Sequence, residues 1–71
     1  PREIFRAAVK QNAASIIVAH NHPSGHRDPS KKDIELAKQL VKAGEILGIP
    51  VTDQFIITKD GYTSLAEGGY I

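Results

Sequence analysis

Apolar side chains near the start of the chain recur at intervals of three and four residues, the spacing of one helical face. They are Ile4, Phe5, Ala8 and Val9, and charged residues stand between and around them. Pro1 suits the first turn of a helix, where the N–H that it lacks has no partner to lose. The pattern predicts an opening amphipathic helix of about three turns.

A longer stripe with the same spacing runs from Lys31 to Leu47 and predicts the main helix of the domain. Its apolar positions are Ile34, Leu36, Ala37, Leu40, Val41, Ala43 and Leu47. Gly48 and Pro50 follow in the order that ends helices, a glycine and then a proline that cannot continue. Gly44 costs the helix about 1 kcal/mol relative to alanine, so we expect it where the helix packs closely on a sheet.

Three short segments have the character of strands. Ser15–Ala19 is β-branched and apolar on both faces, which is typical of a central strand covered on both sides. Val51–Thr58 predicts a second strand, and Asp60-Gly61 is a two-residue hairpin signal that leads into a third. The order α-β-α-β-β predicts an α/β fold with a mixed sheet, in which a right-handed crossover makes the first two strands parallel and the hairpin adds an antiparallel edge.

Composition limits the chemistry that such a domain can perform. The chain has 71 residues, no Cys and a formal net charge of +1. No disulfide framework, thiolate zinc site or cysteine nucleophile is therefore available, and the near-neutral charge argues against a dominant nucleic-acid-binding surface. The apolar runs are too short to predict a membrane span or a signal peptide. The start at Pro1 rather than Met predicts that the sequence is a fragment.

The stretch HNHPSGHRDPSKKD, directly after the first strand, carries the candidate chemistry. In extended backbone, residues two apart point to the same side, so His20 and His22 can converge on one point. Asp33 lies in the first turn of the following helix, and the turn formers Pro23-Ser24-Gly25 could bring that helix start back over the strand end. Two imidazoles and a carboxylate form a reasonable three-ligand set for zinc, with a fourth position open to water.

Simpler interpretations of these residues stay open at this point. Ser30 and Asp33 have the spacing of a capping box, which explains both residues without chemistry. His26 is interpreted as a solvated loop histidine, with an opportunistic fourth metal ligand as the alternative. Asp53, in the second predicted strand, could orient a ligand histidine from behind or could be an ordinary polar strand residue.

Taken together, the residues resemble a known motif and a known family. His20-Asn21-His22-Pro23 followed by Ser30-Lys31-Lys32-Asp33 resembles the JAMM motif of the MPN-plus metalloproteases, position by position. The stretches NAASIIVAHNHPSG, DIELAKQLVKAGEILGIPVTDQFII and GYTSL are similar to the bacterial RadC family, a JAMM-containing group named for a supposed role in DNA repair. The resemblance covers nearly the whole chain.

The resemblance implies a deaminase-like three-layer α/β/α fold, of which residues 1–71 would be the C-terminal part, without the N-terminal strands. It implies zinc held by His20, His22 and Asp33, with Ser30 placed to stabilise an oxyanion. The general base of JAMM peptidases is a glutamate on a strand upstream of the first helix, whereas Glu3 belongs to the first turn of that helix. We therefore expect a zinc-dependent metallopeptidase or related hydrolase in the intact protein, with the fragment itself inactive.

Partners are less defined by the sequence. The resemblance implies a peptide or isopeptide substrate of unknown identity and a location in the bacterial cytoplasm, and no membrane partner is expected. The alternatives are a nucleic-acid-binding accessory module, through Arg27, Lys31 and Lys32 at a helix N-terminus, and a non-catalytic MPN scaffold. An exposed sheet edge would favour association of chains into a homo-oligomer.

Overall fold

Two helices and three strands follow one another in the order that the sequence pattern predicts. The computed structural model describes residues 2–22 and 25–71. The elements are α1 (Arg2–Lys10), β1 (Ile16–Asn21), α2 (Lys31–Leu47), β2 (Val51–Thr58) and β3 (Gly61–Ser64). The bounds predicted for the main helix and for the second strand are confirmed. Pro1, proposed to open α1, and Pro23 and Ser24 of the predicted turn lie outside the described residues.

The three strands form a mixed sheet in the order β1-β2-β3. β1 runs parallel to β2, with His20 opposite Ile56, and β2 runs antiparallel to β3. The hairpin turn is formed by residues 59–60, one position earlier than the predicted Asp60-Gly61, because Gly61 already pairs with Thr58. The Thr58 hydroxyl closes this turn by accepting from the Asp60 N–H and donating to the Gly61 carbonyl, both at 3.3 Å.

α2 has defined signals at both ends and a close contact near its C-terminus. Ser30 is the N-cap, and Gly48 ends the helix in the left-handed region at φ 73°. The Ile49 N–H then donates to the Gly44 carbonyl at 2.9 Å, which folds the chain back across the last turn. A Cβ at Gly44 would lie 2.5 Å from the Ile49 carbonyl oxygen and 3.3 Å from Val51 Cγ2. The expected close packing at Gly44 is confirmed, since only a glycine leaves room for β2 to begin there.

Both helices contribute to a core on one face of the sheet. The main cluster of buried side chains consists of Phe5, Ala8, Leu40, Ile49 and Val51. A second cluster, nearer the C-terminus, consists of Ala37, Ile56 and Leu65. Ile16 and Val18 of β1 pack against the first cluster, so the helix-facing side of β1 belongs to the core.

The other face of the sheet is open in the described part of the chain. Ile17 is 61% exposed, Ile57 41% and Tyr62 62%. The prediction that the first strand is central and covered on both sides is wrong here, because β1 lies at the sheet edge and both helices pack on one side. Val9, assigned to the buried stripe of α1, is also 59% exposed. The fold is a small α/β unit with a helical layer and a three-stranded layer.

The topology determines where the histidines lie. β1 extends to Asn21, two residues beyond the predicted end, so His20 is part of the strand and not a residue after it. The His22 N–H continues the ladder by donating to the Ile57 carbonyl at 3.1 Å. In residues 2–22 and 25–71, no helix has the length and apolar character that crossing a membrane requires.

Candidate metal centre

The two histidines of the HNH stretch lie side by side on the helix-facing side of the sheet. Their positions, two residues apart in extended backbone, put both rings on one side. The ring centroids are 5.1 Å apart, and the Nε2 atoms of His20 and His22 approach to 3.3 Å. Both residues are half-buried. The sequence prediction that these side chains converge is confirmed.

Asp33 brings the N-terminus of α2 to the same point. Its carboxylate Oδ1 lies 3.2 Å from Nε2 of His20, and Oδ2 lies 2.9 Å from Nε2 of His22. The same side chain closes the capping box: Oδ2 accepts from the Ser30 N–H at 2.7 Å, and the Asp33 N–H donates to Ser30 Oγ at 3.1 Å. The capping interpretation is therefore confirmed. It does not compete with a metal-binding role, because the cap is what aims the carboxylate at the histidines.

The spacing of the three donor groups fits a small tetrahedral cation. Zinc bound at about 2.0–2.1 Å places neighbouring ligand atoms at the corners of a tetrahedron with edges of about 3.3 Å. The two histidine Nε2 atoms are 3.3 Å apart, and each lies close to a different oxygen of the Asp33 carboxylate, His20 at 3.2 Å from Oδ1 and His22 at 2.9 Å from Oδ2. Of the His, Cys, Asp and Glu side chains in the described ranges, only His20, His22 and Asp33 form a group that could hold a metal ion. Two imidazole nitrogens and one carboxylate oxygen are ligands that zinc prefers.

The hydrogen bond at Nδ1 of His22 leaves its Nε2 facing Asp33 in a geometry that accommodates either a proton or a metal cation. Nδ1 of His22 lies 2.8 Å from the backbone carbonyl oxygen of His26. A carbonyl can only accept, so Nδ1 carries a proton, and a neutral ring then has its lone pair on Nε2. That lone pair faces Oδ2 of Asp33 at 2.9 Å. Two acceptors at this distance repel each other unless a second proton or a metal cation lies between them.

The environment of Asp33 favours its ionised form. Partial burial raises the pKa of the carboxyl, but the hydrogen bonds from the backbone and the side chain of Ser30, together with His22 and His20, outweigh the burial. The net effect is a pKa below the ordinary value for aspartate. Asp33 is therefore a carboxylate at neutral pH, as a metal ligand must be.

A buried glutamine that the sequence analysis did not select also contacts the group. Gln54 has 0% exposure, and its Nε2 lies 3.4 Å from Nδ1 of His20. The neighbouring residue, Asp53, had been considered as the partner of a ligand histidine, and that interpretation is wrong. The Asp53 carboxylate accepts hydrogen bonds from the Ser64 hydroxyl, the Ala66 N–H and the Gln54 N–H instead. No local signal in the sequence identifies Gln54, because Val51 and Gln54 are both buried although they are three residues apart, and the pairing of β2 with β1 shifts register between Ile16 and Ile17.

The other residues considered from the sequence lie outside the group of three. Glu3 is exposed in the first turn of α1, as predicted. His26 is exposed and takes part through its backbone carbonyl. The Arg27 side chain lies against the start of β3, where a Cβ at Gly61 would meet Arg27 Nη1 at 2.7 Å. Arg27 therefore packs against the β2–β3 hairpin, while Lys31 is exposed at the start of α2.

Comparison with known proteins identifies relatives of the whole chain. The family model described as RadC-like JAB domain matches residues 1–70. A UPF0758 protein of Desulforamulus reducens is 52% identical over 71 residues, which are 100% of this chain and 31% of that protein. A UPF0758 protein of Caldanaerobacter subterraneus subsp. tengcongensis is 54% identical over 70 residues, 99% of this chain and 30% of that protein.

A further relative gives the same result. A UPF0758 protein of Thermosynechococcus vestitus is 52% identical over 67 residues, which are 94% of this chain and 27% of that protein. The chain thus spans about a third or less of the length of the curated relatives that it matches. The match to the Desulforamulus reducens protein spans all 71 residues, and so includes the strand, the loop and the helix that together build the histidine and aspartate group.

Proposed function

The chain belongs to the RadC-like JAB domain family, and on that premise we propose that it supplies the metal-binding part of a zinc-dependent hydrolase of the JAMM type. The substrate class that we propose is a peptide or isopeptide bond. One observation carries the proposal: Nε2 of His20, Nε2 of His22 and the carboxylate of Asp33 converge with separations of 2.9 to 3.3 Å, and the His26 carbonyl holds the ring of His22 in this orientation. A divalent cation can bind all three groups at this point.

Each of the three residues has a defined part in holding the ion. His20 and His22 would bind through Nε2, and Asp33 through its carboxylate, which the Ser30 N–H keeps oriented by a bond of 2.7 Å. A bound zinc ion supplies Lewis acidity toward a carbonyl oxygen and lowers the pKa of water to about 7. The His26 carbonyl, 2.8 Å from Nδ1 of His22, would accept the Nδ1–H and so leave Nε2 to the metal.

Ser30 is the proposed donor to the oxyanion that forms when a carbonyl is attacked. Its Oγ accepts the Asp33 N–H at 3.1 Å, which positions the hydroxyl next to the ligand carboxylate. One O–H proton then remains for donation toward the site. A preorganised donor of this kind acts on the transition state because it needs no rearrangement when charge develops.

The general base is proposed to come from sequence outside residues 1–71. In the described part of the chain, no carboxylate other than that of Asp33 belongs to the group. The relatives are about three times as long as this chain, and the open face of β1, with Ile17 61% exposed, offers a surface for a further layer. We propose that the intact protein completes a three-layer fold on this face, and that a further strand, pairing with the edge of β1 that is free in the described residues, carries the base next to the histidines.

Metal analysis tests the proposal directly. The intact protein is purified without added chelator, and its zinc content is measured by mass spectrometry beside His22→Ala and Asp33→Asn. We expect about one zinc per chain, lost in both variants. His26→Ala is the matched control, because its side chain is outside the group while its backbone carbonyl is kept. A folded wild-type protein without metal, or variants with undiminished zinc, would contradict the proposal.

A further inference from the structure

A buried glutamine on β2 contacts the candidate metal centre from the sheet side. Gln54 lies opposite Val18 in the parallel ladder and has 0% exposure. Its carboxamide Nε2 lies 3.4 Å from Nδ1 of His20. Its Oε1 is buried and accepts no hydrogen bond from the described residues. In the described ranges, His20 is the only side chain that the Gln54 carboxamide contacts by a hydrogen bond. Because His20 is a candidate metal ligand, this contact can influence metal binding.

The two ends of the carboxamide select opposite tautomers of His20. An amide N–H facing Nδ1 requires a lone pair there, so a neutral ring has its proton on Nε2, where Oδ1 of Asp33 lies 3.2 Å away. An amide oxygen facing Nδ1 requires a proton there, and the lone pair is then on Nε2, free to bind a cation. A half-turn of the carboxamide about its last side-chain torsion exchanges the two ends without a change of shape.

Ligand histidines in metal sites almost always donate their second ring N–H to an acceptor, which holds the tautomer and the orientation of the ring. His22 has such an acceptor in the His26 carbonyl, at 2.8 Å. For His20 the neighbour at the corresponding ring nitrogen, Nδ1, is the carboxamide of Gln54. The orphaned Oε1 is an acceptor of the required kind, since a buried carbonyl oxygen without a donor is unfavourable.

We propose that Gln54 is a positioning residue of the metal centre. When a cation is bound, Oε1 of Gln54 accepts the Nδ1–H of His20 and leaves Nε2 to the metal; without a cation, the amide turns and donates to Nδ1. This inference rests on the proposed metal-binding function. It adds that β2, an element without a ligand of its own, determines how well His20 binds.

Zinc affinity of Gln54 variants tests the role of the amide oxygen. The affinity of the intact protein is measured by competition with a chromophoric chelator. Gln54→Met keeps a similar length but removes both amide functions, and we expect the affinity to fall by about 10- to 100-fold. Gln54→Glu retains the acceptor, and we expect it to match or exceed the wild-type affinity. Gln39→Met, the same substitution at an exposed position of α2, is the control and should leave the affinity unchanged.

NMR spectroscopy of the histidine ring nitrogens shows whether the proton of His20 is on Nδ1 or on Nε2. This position would not depend on Gln54 if that residue only filled space in the core. In two-bond ¹H–¹⁵N correlation spectra, we expect the proton of His20 on Nε2 in the metal-free wild type and on Nδ1 after zinc is added. In Gln54→Glu the side chain has no amide N–H to donate, so the proton should be on Nδ1 in both states. These spectra decide the matter even where Gln54→Met does not fold.

Failure of the inference about Gln54 can be distinguished from failure of the proposed metal-binding function. If wild-type protein binds zinc, loses it in His22→Ala, and yet binds with undiminished affinity in a folded Gln54→Met, the inference about Gln54 is overturned and the proposed function stands. A zinc-loaded His20 that carries its proton on Nε2 overturns the inference in the same way. If the wild-type protein binds no zinc, the proposed function fails, and the inference fails with it.

Discussion

Nε2 of His22 and Oδ2 of Asp33 face each other across 2.9 Å, although the chain places one after a strand and the other in a helix. The strand ladder orients the first, since the His22 N–H donates to Ile57. The capping box orients the second, since the Asp33 carboxylate accepts from the Ser30 N–H. The group of His20, His22 and Asp33 is therefore assembled by the ordinary hydrogen bonds of the fold.

Zinc should stabilise the folded protein, because a preformed site binds the ion in the native state and is dispersed in the unfolded chain. At a free zinc concentration 100 times the Kd, the gain in unfolding free energy is about 2.7 kcal/mol. We expect a higher Tm in zinc, measured by thermal unfolding, and reversal of the shift by a chelator. His20→Ala should lose this dependence on zinc, whereas His26→Ala should retain it; equal shifts in both variants would place the ion elsewhere.

Ser30→Ala should destabilise the protein whether or not metal is present. The substitution removes the hydroxyl that accepts the Asp33 N–H at 3.1 Å, and loss of an N-cap costs about 1 kcal/mol. Chemical denaturation measures this loss. Ser30→Asn is the matched variant, because asparagine caps a helix as well as serine does. If Ser30 is also the oxyanion donor, an asparagine-capped protein should fold normally and bind zinc but hydrolyse substrate more slowly.

Gly44→Ala should destabilise the protein, against the usual preference of helices for alanine. Helix propensity alone would favour alanine by about 1 kcal/mol. The added Cβ would lie 2.5 Å from the Ile49 carbonyl oxygen, however, and the chain there is held by the bond from the Ile49 N–H to Gly44. Overpacking of this kind costs about 1–3 kcal/mol. Urea denaturation of Gly44→Ala and of Lys42→Ala, an exposed position of the same helix, separates the effect of helix propensity from the effect of the steric contact. If Gly44→Ala were more stable than wild type, the backbone at Ile49 would be able to move away from the added Cβ at little cost.

The sequence predicted the elements well where periodicity and end signals agreed. Gly48 and Pro50 marked the end of α2 correctly, because an αL cap and a proline leave the backbone few alternatives. The prediction that β1 is buried on both faces was wrong. An apolar run shows that a strand can be buried on both faces, but it does not show whether other elements of the chain cover both. Ile17, 61% exposed, is the clearest case.

The site was predictable from the sequence only in part. The spacing of His20 and His22 follows from strand geometry, and the position of Asp33 follows from the cap, so local rules sufficed for both. Gln54 is distant from these residues along the chain, and its contact with His20 depends on the register between β1 and β2. Local patterns do not specify that register, which is why Asp53, one position away and facing the opposite side, was considered as the partner of a ligand histidine.

Asp53 should contribute to the loss of stability in acid. Burial raises the pKa of its carboxyl, but the hydrogen bonds from the Ser64 hydroxyl, the Ala66 N–H and the Gln54 N–H outweigh burial, and the net pKa is lowered from 3.8. A carboxyl with a lower pKa in the folded than in the unfolded state contributes stability above the unfolded pKa. That contribution is lost as the pH falls from about 4 through the lower folded value.

Unfolding free energies measured by urea between neutral pH and acid pH would isolate this contribution. Asp53→Asn cannot gain a negative charge, so we expect it to be less stable than wild type near neutral pH, with the difference shrinking as the pH falls below about 4. Asp60→Asn, in the exposed turn between β2 and β3, removes the same formal charge and should leave most of the acid dependence in place. If the difference between wild type and Asp53→Asn stayed constant with pH, Asp53 would act through packing alone. The hydrogen bonds from Ser64 and Ala66 would then hold the C-terminal turn against β2 without depending on the charge of the carboxylate.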